Sequence, residues 1–171
     1  MNGDEKENKK FRAFIDLVHD GDYDYPETVF SFDHIVPMPK ELQSVQTGGG
    51  TTICTQEEYD NWKPSRREWA DSTRPITQEM ADNYKERFGA ENWYDWAYTN
   101  WGTKWEAEDI RIMEDDEYII ELQFDTAWGP PEGIYNAICE KIKEEGWDIN
   151  VSWFYDEPGM EFAGYLSGGL H

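Results

Sequence analysis

Three groupings of side chains have the types and spacing from which chemistry could be built. His34 follows Asp33, the pairing in which a carboxylate orients an imidazole as a general base. No Ser or Cys stands in a nucleophile-elbow setting and no HExxH helix is present, so His34, like His19 and His171, reads as a structural or solvated side chain. Asp20, Asp22 and Asp24 have the spacing of a calcium loop. Tyr25 stands where that loop needs Gly, and Ser31 where it needs Glu, so the segment reads as a solvated loop. Gly48-Gly49-Gly50 lacks the Lys-Ser/Thr ending of a phosphate-binding loop and reads as a flexible connection. No catalysis, metal or cofactor is expected from these groups.

A fourth grouping is electrostatic. The chain has 37 acidic side chains against 15 basic ones, a net charge of −22 on 171 residues. From Trp105 onward there are 17 acids and only Arg111, Lys141 and Lys143 to oppose them. Nine Trp, ten Tyr and eight Phe supply enough apolar surface for so acidic a chain to fold. Such a body repels DNA, RNA and anionic lipid and is drawn to clustered Lys and Arg. The carboxylates expected to meet a basic partner are Glu106, Glu108, Asp109, Glu114, Asp115, Asp116, Glu117, Glu121, Asp156, Glu157 and Glu161. The alternative is that acidity only keeps the protein in solution.

No apolar run approaches the ~20 residues that span a bilayer. The charged start MNGDEKENKK is unlike a secretory signal, so a cytoplasmic location is expected. Cys54 and Cys139 lack a CxxC partner and are expected as reduced thiols.

Several elements are needed to position these groups. Phe11, Phe14, Ile15 and Val18 recur at helical spacing and predict a helix over Glu5 to His19. Thr28 to Phe32 suits a strand, and Ile35-Val36-Pro37-Met38-Pro39 an extended apolar segment. Residues 55–101 predict a helical insertion, with a capping box at Thr55 and Glu58, a second helix from Thr77 to a stop at Gly89, and a third from about Asn92. Ile110 and Ile112, then Tyr118, Ile120, Leu122 and Phe124, alternate as a hairpin around Asp115-Asp116. A helix follows Gly129-Pro130-Pro131 and ends at Gly146. Trp147, Ile149, Val151, Trp153 and Tyr155 alternate as a long strand. A turn at Asp156-Glu157-Pro158-Gly159 leads to a partner strand over Phe162 to Leu166. This order predicts one α+β domain over residues 1–171, with helices on one face of an antiparallel sheet and acids on the other.

Four ordered phrases carry a family resemblance. They are Phe32-Asp33-His34-Ile35-Val36-Pro37-Met38-Pro39, Trp93 through Asn100-Trp101-Gly102-Thr103-Lys104-Trp105, Phe124-Asp125-Thr126-Ala127-Trp128-Gly129-Pro130-Pro131, and Glu157-Pro158-Gly159-Met160 with Phe162-Ala163-Gly164. Together, from about residue 11 to residue 166, they resemble the YubB-type ferredoxin-like domain proteins of plasmids, phages and other mobile elements. The resemblance implies a ferredoxin-like antiparallel sheet with helices on one face and a helical insertion. It implies no iron–sulfur cluster, and two scattered Cys could not hold one. It carries no catalytic residue. Members of that family begin with an apolar strand ending in Gly before the first helix, where this chain has only Met1-Asn2-Gly3. Either that strand is absent, leaving a sheet edge open to another chain, or the start lies further upstream.

Two expectations of function follow. The first is a non-enzymatic protein of a mobile element or phage, of the anti-CRISPR or DNA-mimic type. It would bind and inhibit a basic, nucleic-acid-targeting host defence protein through the carboxylates named above. The second is a small-ligand or regulatory module with an aromatic pocket of Asn100, Trp101, Lys104, Trp105 and Trp128. In the plainer reading of the same residues, the Trp side chains plug the core and Lys104 neutralises an acid such as Asp125.

Overall fold

The computed structural model describes residues 5–15, 30–63, 73–116 and 118–167. These fall into two compact units, Met38–Asn100 and the remainder. The chain is a mixed helix-and-strand protein with small antiparallel sheets.

In the Met38–Asn100 unit, local capping dictates each helix start. A short turn α3 (Lys40–Gln43) leads to strand β1 (Ile53–Cys54), helix α4 (Gln56–Asn61), strand β2 (Ile76–Thr77), α5 (Gln78–Phe88) and α6 (Trp93–Asn100). Thr55 and Glu58 complete the expected capping box, each side chain accepting from the other's backbone N–H. Thr77 accepts from the Met80 N–H, and Gly89, at φ 77°, ends α5 in the left-handed conformation. β1 and β2 pair in parallel, and Val45, Ile76 and Ala81 form a small core beside them. Gly48 to Gly50 form a tight turn inside the Thr47–Thr51 bridge, where a flexible connection was expected.

The other unit holds helix α1 (Glu5–Phe14), the single turn α2 (Phe32–Ile35), hairpin β3 (Glu108–Asp115) with β4 (Ile120–Asp125), helix α7 (Glu132–Glu145), and hairpin β5 (Ser152–Glu157) with β6 (Phe162–Ser167). Ile134, Tyr135, Ile138 and Ile142 are the buried face of α7. α1 docks at its end, where Phe11 meets Trp147 edge to face at 6.2 Å. Both hairpins join one aromatic seam. Phe124 of β4 packs on Phe30 at 5.2 Å and on Trp153 of β5 at 5.6 Å, and Trp153 reaches Tyr135 of α7 at 5.3 Å.

Three expectations are corrected. Phe32 does not end a strand; it opens the turn α2, because Ser31 accepts from the His34 N–H and the Glu106 carboxylate takes the N–H groups of Phe32 and Asp33. Thr28 and Val29 lie outside the described residues. The last long strand begins at Ser152 rather than Trp147, whose N–H bonds back to Ile142 and closes the end of α7. The strands do not form one antiparallel sheet: among the described residues β3–β4 and β5–β6 are separate two-stranded ladders. The first helix is described only as far as Phe14, and the Asp20–Asp24 loop lies outside the described residues, as do His19 and His171.

Candidate functional site

The outer face of the β3–β4 hairpin is set by alternation. Ile112 and Leu122 are paired on the inner side, with Ile120 and Phe124 beside them, so Glu121, Gln123 and Asp125 point outward. The ladder places Glu108 opposite Asp125, Arg111 opposite Gln123, and Glu114 opposite Glu121. Two of these three outward pairs set like charges against each other. Each such pair costs about 0.2–1 kcal/mol relative to a neutral one, and less as salt screens it. Only Arg111 stands between them as a counter-charge. Bulges fall between Glu108 and Arg111 and between Ile112 and Glu114, and Asp109 sits there at φ 49°.

The carboxylates picked out by composition divide by task. Glu106 is committed to the α2 amides, at 2.7 Å each, and to Ser31. Asp115 pairs with Arg12 of α1, whose guanidinium also reaches the Asp116 carbonyl. Asp116 closes the hairpin tip by accepting from the N–H groups of Tyr118 (2.7 Å) and Ile119 (2.8 Å). Those two donors, with Arg12 adding a smaller attraction, hold its carboxyl below the usual range. Glu157 accepts from the Gly159 N–H in the β5–β6 turn. The side chains of Glu108, Asp109, Glu114, Glu121, Asp156 and Glu161 are exposed and make no ion pair or hydrogen bond among the described residues. Glu117 lies outside the described residues.

Two contributors were missed. Asp125 completes the pair with Glu108, and the period-two parity with Glu121 could have found it. Phe154 and Tyr165 face each other across β5–β6, 71% and 61% exposed. The inward parity of Trp153 and Tyr155 already required Phe154 to point out.

The residues of the aromatic alternative have different settings. Trp101 is buried against Phe32, and its indole N–H donates to the Val36 carbonyl at 2.8 Å. The Asn100 amide, in the other unit, donates to the Trp96 carbonyl. Lys104 makes no ion pair with Asp125. Its ammonium sits between two indoles, 3.7 Å from the centre of the Trp105 ring and 3.9 Å from that of Trp128. A shallow depression of about 390 Å³ lies along α6, lined by Tyr94, Asp95, Tyr98 and Thr99, and includes none of the expected residues.

Among the described residues, no group of three or more His, Cys, Asp or Glu is placed to hold a metal ion, and no helix is long and apolar enough to cross a membrane. Cys54 and Cys139 are both free and half-buried. Burial first, then the nearby Glu58 carboxylate, pushes the Cys54 thiol up. No protein-family model, curated protein or solved structure matches this chain.

Proposed function

We propose that this protein is a non-enzymatic binder whose acidic outer face occupies a Lys- and Arg-lined groove of a nucleic-acid-handling protein. The observation that carries this reading is the like-charge ladder pairing of Glu108 with Asp125 and of Glu114 with Glu121. Folding does not need these pairs, and a cationic partner would relieve their repulsion. The exposed Asp109, Asp156 and Glu161 extend the negative field, and Phe154 with Tyr165 offers aromatic contact area beside it.

The finer reading follows the family resemblance. The hairpins and α7 are taken as the remains of a ferredoxin-like arrangement with a helical insertion. The protein is taken as a product of a phage or other mobile element, acting in the host cytoplasm. Its target would be a defence nuclease, such as a CRISPR effector, held off by DNA mimicry. A small-ligand or regulatory role through the indoles is the second reading, favoured by the exposed Trp128 ring.

The test is a pull-down from bacterial lysate, eluted stepwise with salt, comparing the wild type with a chain carrying Glu108→Lys, Glu114→Lys, Glu121→Lys and Asp125→Lys. A nucleic-acid-handling protein released from the wild type at moderate salt, and lost from the folded variant, is the expected result. Equal capture by a variant whose circular dichroism matches the wild type would sink the mimic reading.

A further inference from the structure

We propose that Trp105 and Trp128 form a clamp for an organic cation, an alkylammonium or a guanidinium, and that Lys104 is its resident plug. The two rings flank one ammonium at 3.7 and 3.9 Å from their centres, so both faces offer their negative quadrupole to the same charge. In so acidic a chain a lysine would ordinarily be drawn to a carboxylate. Among the described residues Lys104 has no ion pair, and the side-chain contacts of its ammonium are the two indoles.

Both walls face solvent, with Trp105 41% and Trp128 63% exposed. Trp128 also adopts φ 68°, a left-handed backbone that a bulky residue takes only when its surroundings impose it. The bonds that hold this loop do not use the Lys104 side chain. The Thr126 hydroxyl donates to the Gly129 carbonyl at 2.8 Å, and the buried Thr103 hydroxyl donates to the Ala127 carbonyl at 3.1 Å. The Gly133 N–H donates to the Trp101 carbonyl at 3.1 Å. Gly102, at φ 87°, packs so closely that a Cβ there would come within 2.9 Å of the Glu132 nitrogen. Backbone bonds and close packing therefore hold the two loops together, and the clamp walls stay in place when the plug leaves.

An organic cation is the fitting ligand because indole faces replace little of the hydration that a small inorganic ion would lose, whereas an alkylated or delocalised cation is weakly hydrated already. On a basic partner the ligand would be an Arg or an alkylated Lys side chain. The clamp itself does not rest on the acidic-face reading, and small cations test it directly.

The experiment titrates the 15N-labelled Lys104→Ala chain with tetramethylammonium chloride and follows the indole N–H resonances of Trp105 and Trp128, assigned from Trp105→Phe and Trp128→Phe. Sodium chloride at equal ionic strength is the reference. The expected result is a saturable shift of both resonances, absent with sodium, at a concentration about tenfold lower than in the wild type, where Lys104 competes. Adding Trp128→Leu should abolish the shift. A response that does not saturate, that sodium reproduces, or that survives Trp128→Leu overturns the clamp, and equal midpoints with and without Lys104 overturn the plug. If Lys104→Ala fails to fold, the wild-type titration decides: saturation of the same two resonances upholds the clamp, and its absence overturns it. The charge-reversal pull-down stands or falls separately.

Discussion

The β3–β4 and β5–β6 hairpins meet the same demand on one side and diverge on the other. Phe124 and Trp153 touch each other at 5.6 Å, and through Trp153 the seam runs on to Tyr135 of α7. Their outer faces differ in the pairs they set across the ladder. One carries Glu108 against Asp125 and Glu114 against Glu121; the other carries Phe154 against Tyr165. Packing into a common seam fixes residue type where side chains are enclosed and leaves the outward positions open to other pressures. That is why function is sought on the outer faces, and why each hairpin can be altered separately while the shared seam cannot.

The largest effect should come from breaking what the hairpins share. Ile138 of α7 is 2% exposed. Truncation to Ala is expected to cost about 2–5 kcal/mol in denaturant unfolding, with amide protection falling in both hairpins. A loss confined to one hairpin would show that they do not rest on a common core. Next comes a change that should divide them. A Cβ at Gly164 would fall on the Tyr155 hydroxyl and ring, which cover the glycine. Gly164→Ala is expected to cost about 1–3 kcal/mol by displacing Tyr155, lowering protection in β5–β6 and leaving β3–β4 unchanged.

The inner faces were legible in the sequence because alternation and helical spacing report enclosure directly. Thr55, Thr77, Gly89 and Gly146 were legible because caps are local chemistry. What escaped was decided at long range. Phe32 reads as strand from its neighbours, yet Glu106, more than 70 residues away, supplies the acceptor that turns it into a helix start. The same distant bond removes Glu106 from the surface carboxylates with which composition had grouped it. Lys104 was paired in expectation with Asp125, because opposite charge is the simplest reading of a lone lysine. The positive φ at Trp128, which brings a second indole over it, has no sequence signal outside Gly.

A smaller effect tests the acidic face itself. Glu121→Lys turns the pair with Glu114 into an attractive one and is expected to stabilise the fold by up to about 1 kcal/mol at low ionic strength, less in salt. The same change should weaken capture of a basic partner. A variant that is more stable yet binds less tightly would mark the repulsion as retained for function. If stability does not change at low salt, the two carboxylates are already apart in solution, and the strain attributed to the β3–β4 face is absent.

The smallest effect concerns the β3–β4 tip, closed by a carboxylate held below its usual range. Asp116 accepts from two backbone N–H groups, so its native value lies under that of the unfolded chain, which is about 3.9. Between those values the unfolded chain binds more protons, so this group's contribution rises with pH. It is fully present above the unfolded value and is lost as pH falls through the native one. Lowering pH also relieves repulsion among the remaining carboxylates, an effect of opposite sign, so the quantity to measure is the difference in Tm between the wild type and Asp116→Ala. That difference should be constant from neutral pH down to about 5 and shrink below pH 4. A difference that persists undiminished well below pH 3 would mean that the turn depends on the shape of the side chain and not on its charge. The β3–β4 tip would then be closed without help from its carboxylate's charge.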